Sequence, residues 1–79
     1  MGNYQKAIEI CDQVLRDKPN DAPAFYGISC CYALQEKREE SIHYLELAIK
    51  QDPDYKKRAS EDPEFEKIKS YSRFQELVS

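Results

Sequence analysis

A chain of 79 residues, 41% hydrophobic and 34% charged, has room for one small domain, and that balance suits helices with one apolar face and one solvated face. A formal net charge of −3 and an isoelectric point near 5.1 lack the basic footprint that nucleic acids select, so no nucleic-acid partner is expected. No apolar run approaches the roughly 20 residues that cross a bilayer, and the N-terminus has neither a basic segment nor an apolar signal core, so the expectation is a cytoplasmic protein without membrane insertion.

In chain order, Met1-Gly2 opens like a myristoylation signal, but Lys6 stands where that signal takes Ser or Thr. Tyr4, Ala7, Ile8, Cys11, Val14 and Leu15 recur at i, i+3, i+4 and i+7, which predicts an amphipathic helix from about Tyr4 to Asp17. Pro19 stops it. Asn20 and Asp21 can cap a second helix that carries Pro23 in its first turn, where a missing amide hydrogen costs little. Phe25, Ile28, Ser29 and Tyr32 form the buried stripe of that helix, out to about Gln35.

Glu36-Lys37-Arg38 has no apolar anchor and reads as a tight turn between helices. Ser41, Ile42, Leu45, Ala48 and Ile49 then predict a third helix, closed near Gln51 by Pro53. Beyond it, Asp62-Pro63 reads as an N-cap with a first-turn proline, opening a short helix with Phe65 and Ile68 as its apolar positions. Ser72 with Gln75 three residues on fits a capping box for a final helix that offers Phe74, Leu77 and Val78. The expected fold class is all-α.

An internal repeat underlies this order. At an offset of 34 residues Ala7 meets Ser41, Ile8 meets Ile42, Cys11 meets Leu45, Val14 meets Ala48, Leu15 meets Ile49 and Pro19 meets Pro53. The pattern decays after Pro53, where Ala59 falls at the place of Phe25 and Pro63 at the place of Ser29. Phe25, Ile28, Tyr32, Ser41, Leu45, Ala48 and Pro53 together resemble the signature of the tetratricopeptide family, whose unit is a 34-residue helical hairpin ended by a proline. Ser29 and Ser41 stand where that family usually has glycine or alanine, and both remain small.

On that resemblance the chain is one domain over residues 1–79, an antiparallel helical-hairpin repeat fragment with short C-terminal capping helices. Residues 2–21 match the second half of a unit, 22–55 a complete unit, and 56–79 a helical cap. The resemblance implies a superhelical stack whose concave side is lined by the first helix of each unit. In this chain that lining is Pro23, Tyr26, Gly27, Cys30, Ala33 and Leu34.

The expected activity is therefore a scaffold that takes a peptide or helix of a protein partner in its groove. Tyr26 is the contact of choice, because a tyrosine offers a rigid area and a hydroxyl; otherwise it packs against an upstream hairpin or the chain's own tail. None of the Lys, Arg and Asn residues by which some family members clamp a chaperone's C-terminal carboxylate stands on this lining. Self-association is the second reading. One and a half units fall below the roughly three that a stable solenoid needs, and an apolar side of residues 4–15 would lie uncovered.

Other chemistry finds little support. Cys11, Cys30 and Cys31 read as small core groups, and adjacent Cys30 and Cys31 point about 100° apart on a helix, awkward for a shared metal. His43 between Glu39 and Glu46 is a chance spacing on an exposed helix, and Lys56-Lys57-Arg58 is a solvated face more readily than an acid-binding patch. With two glycines, one histidine, no phosphate loop and no metal motif, neither a cofactor nor an enzyme activity is expected.

Overall fold

A computed structural model describes residues 3–79, so the Met1-Gly2 reading lies outside the described residues. Five α-helices and one 3-10 helix make up the described chain: α1 (Tyr4–Asp17), α2 (Ala22–Leu34), α3 (Arg38–Gln51), α4 (Asp54–Glu61), the 3-10 helix Pro63–Ile68, and α5 (Ser72–Val78). The protein is all-α, built on helical hairpins. Its shortest dimension is 18 Å, close to two layers of helices each about 10 Å across.

Local chemistry sets the helix ends. The Asn3 side chain accepts the Lys6 amide at 3.0 Å and starts α1. Lys18, before Pro19, takes an extended conformation at φ −129° and ψ 84° that ends it. Asp21 caps α2 by accepting the Ala24 amide at 3.0 Å, with Pro23 in the first turn as expected. α2 ends in a Schellman turn: the Glu36 amide reaches Ala33 O at 3.0 Å and the Lys37 amide reaches Tyr32 O at 2.9 Å. Glu36 takes φ 60° there, the left-handed conformation that glycine adopts more cheaply.

α2 is the centre of the fold. It is apolar on nearly all sides, as a helix must be when neighbours cover it, and it packs against α1, α3 and the 3-10 helix. Ile28 and Ala33 are fully buried on it, facing Ile42, Leu45 and Ala48 of α3 or Ile8 of α1 within two adjoining cores. At the α2–α3 crossing the two serines do more than stay small. Ser29 Oγ donates to Ser41 O at 2.7 Å and Ser41 Oγ donates to Ser29 O at 2.9 Å, so both buried hydroxyls are satisfied reciprocally.

The tail departs from the expected pattern in two places. α4 is a helix for which the sequence offers only Tyr55 and Ala59 as inward residues; Ala59 is 1% exposed, and Pro63 cuts the helix short. The capping box at Ser72 does not form: Tyr71 is the N-cap without a side-chain bond, and the Gln75 amide side chain donates to Lys69 O at 3.2 Å instead. Asp62 does cap, its Oδ1 accepting the Glu64 amide at 2.9 Å. The three-residue period of the 3-10 helix sets Phe65 and Ile68 on one face, both buried, and Phe74 of α5 stacks on Phe65 at 5.3 Å. Arg73 of α5 pairs with Glu39 at 2.6 Å and Glu46 at 3.6 Å on α3, and Tyr71 donates to Glu39.

Candidate partner-binding groove

The concave face lies between α1, α2 and the fold-back of the tail. Its floor comes from Ala7 and Cys11 of α1 and from Pro23, Gly27, Cys30, Cys31 and Leu34 of α2. Its wall comes from Tyr55 and Arg58 of α4 with Asp62 and Glu64 at the turn beyond. The space enclosed is about 390 Å³, enough for one or two side chains of a partner. Gly27 has a steric reason: a Cβ there would lie 3.0 Å from Cys11 Sγ, so the absence of a side chain lets α2 approach α1 across the floor.

Of the residues anticipated from sequence, Pro23, Gly27, Cys30 and Leu34 sit on this floor. Tyr26 lines it as well, although it is only 6% exposed, because it packs against the chain's own tail, the second of the two places its sequence allowed. Its ring packs on Tyr55 at 4.7 Å and Phe65 at 5.7 Å, its hydroxyl donates to Asp62 Oδ2 at 2.7 Å, and the Arg58 guanidinium lies 5.3 Å from the ring centroid. Ala33 is fully buried and does not line the groove. It lies two helical turns after Tyr26 on the same face of α2, the face over which the 3-10 helix folds.

Ala7, Cys11, Cys31 and the four wall residues were not anticipated. Ala7 and Cys11 carried a signal, since they flank the buried stripe of α1 at i, i+4 spacing. The wall carried none, because a tail folding back across α2 follows no helical period.

Burial and neighbouring carboxylates set the acidity of the site. The Tyr26 phenol is pushed well above its ordinary value, first by burial and then by its bond to Asp62. Burial likewise raises all three thiols; Glu64 adds to the effect at Cys30, Asp12 and Asp21 at Cys11, and Cys11 and Glu64 at Cys31. These thiols stay protonated at neutral pH and behave as small apolar groups, without the thiolate that nucleophilic attack needs. His43 meets only the edge of Tyr44 at 5.1 Å, while its flanking Glu39 and Glu46 are both taken by Arg73. Lys56 and Lys57 are exposed, whereas Arg58 is laid across Tyr26 and Tyr55.

A capped helical hairpin flanked by a further helix, with a concave face built on the hairpin's first helix, defines a repeat of the protein-interaction type. The chain belongs to the tetratricopeptide repeat family, whose model matches residues 1–66. It is similar to a protein of Arabidopsis thaliana whose name describes it as chloroplastic, with 30% identity over 80 aligned residues that cover 98% of this chain and 24% of that protein. The chain thus spans about a quarter of the length of this curated relative. No solved structure matches it. Among the described residues no helix is long and apolar enough to cross a membrane.

Proposed function

We propose that this chain is a docking module that holds an apolar segment of a partner protein, peptide or helix, against the floor formed by Pro23, Gly27, Cys30 and Leu34. In this reading residues 2–21 act as a half unit, 22–55 as the complete unit and 56–79 as the cap that closes the stack. The observation that carries it is the groove itself: a space of about 390 Å³ over a largely apolar floor, left open by a fold that otherwise buries its large apolar side chains, Ile10 and Val14 excepted. Three protonated thiols on that floor suit a reducing compartment, either the cytoplasm or the chloroplast that the relative's name gives for that protein.

The test uses dodecapeptides selected from a random display library on the whole chain. Leu34 is half-buried on the floor, so Leu34→Asn should leave the helical circular dichroism intact and weaken the selected peptides about tenfold, the cost of losing one well-placed aliphatic contact. Unchanged affinity in a folded L34N variant would reject the groove.

A second reading is favoured by the outer face of α1, where Ile10 is 54% and Val14 38% exposed, one turn apart. Two copies that pair these faces would cover both residues. That would make the chain a self-association module whose groove stays free.

A further inference from the structure

The chemistry of the groove wall narrows what the proposed docking site accepts. Cys30 Sγ and one carboxylate oxygen each from Asp62 and Glu64 lie within 4.8 Å of one another at one end of the floor. Asp62 is fixed there on both oxygens, Oδ2 by the Tyr26 hydroxyl and Oδ1 by the Glu64 amide. The Glu64 side chain is exposed, and among the described residues neither it nor Asp62 has an ion-pair partner. The wall's own cation, Arg58, is spread over Tyr26 and Tyr55.

An apolar floor with a fixed carboxylate and an exposed one beside it, neither in an ion pair among the described residues, is complementary to an aliphatic side chain followed by a cation.

We propose that the groove selects a protein segment carrying an apolar residue for the floor and a Lys or Arg that pairs with Glu64 beside Asp62. This rests on the groove reading above and adds the sign of the partner's charge. Asp62 positions the pair without being its adjustable member, because it also caps the 3-10 helix and holds Tyr26. Glu64 is the exposed member, and the bond it gives to Asp62 comes from its backbone amide, which a substitution keeps.

The experiment takes the same library-selected peptides, labelled with fluorescein, and measures anisotropy against the wild-type chain, L34N, Glu64→Gln and Glu64→Lys. The selected sequences should be enriched in Lys or Arg next to an aliphatic residue. E64Q should weaken them about fivefold, as expected for an exposed ion pair. E64K should weaken them further, and changing the peptide's cation to Glu should restore binding to E64K but not to wild type.

Peptides that lose affinity on L34N yet ignore both Glu64 variants would overturn the charge assignment and leave the groove standing. Peptides indifferent to L34N would overturn the groove and this inference with it. A parallel titration with cobalt(II) separates the remaining source of positive charge. A thiolate-to-cobalt absorption band that disappears in Cys30→Ser would make the triad a metal site and overturn the proposal, and the absence of such a band is expected.

Discussion

Tyr26 ties α2 to the tail through both its ring and its hydroxyl. A hydroxyl that donates to a carboxylate in a half-buried setting contributes about 1.5 kcal/mol, so Tyr26→Phe should lose about that much in urea unfolding at pH 7. Its folded-state acidity is weaker than its ordinary value of 10.0, so the contribution is fully present below pH 10 and is lost as pH rises beyond it. The gap between wild type and Y26F should therefore narrow above pH 10, where only the wild type loses this contribution. Tyr26→Ala removes a buried ring at a cost of about 3–5 kcal/mol and reports on folding rather than on docking.

Among the elements, the α2–α3 hairpin is held by apolar packing with one polar lock inside it. Ser29 and Ser41 each donate their hydroxyl to the other's carbonyl, with the two hydroxyl oxygens 3.2 Å apart. Ser29→Ala or Ser41→Ala alone should cost about 1 kcal/mol in denaturant unfolding. The double variant should cost about the sum of the two, because each hydroxyl donates to the other residue's backbone carbonyl, which the substitution keeps. A clearly non-additive cycle would mean that the contact between the two hydroxyl oxygens couples them.

These three helices were legible in the sequence because α1 and α3 carry helical periodicity and a proline stop, while α2 carries the Asp21 cap, a first-turn proline and a charged turn after it. α4 was not, since Ala59 is its sole fully buried residue and a lone small residue makes no stripe. The final helix was placed correctly, but its start rested on a capping pair that the chain replaces with a bond from Gln75 to Lys69.

The whole molecule is a thin two-layer body with two uncovered apolar regions, the groove and the outer stripe of α1. Five of the six groove residues named from sequence line the groove, because the phase of a helix fixes which residues share a face. Ala33 is buried in the core instead, and Tyr26 is nearly closed, because the tail that packs on it returns from as far as Asp62, 36 positions away, and no local period records that return. The stripe on α1 makes its own prediction. If it pairs two copies, light scattering over about a hundredfold concentration range gives a dimer that Ile10→Lys turns into a folded monomer. A wild-type monomer throughout that range would reject the pairing.

The central claim is that the floor of α2 receives the partner, and amide chemical-shift mapping tests it most directly. A ¹⁵N-labelled chain titrated with a library-selected peptide should show its largest shifts at Gly27, Cys30, Cys31 and Leu34, with smaller ones at Arg58 and Glu64 across the wall. Shifts confined to the outer face of α1 or to the α3–α5 surface around Arg73, with the α2 amides unmoved, would contradict it.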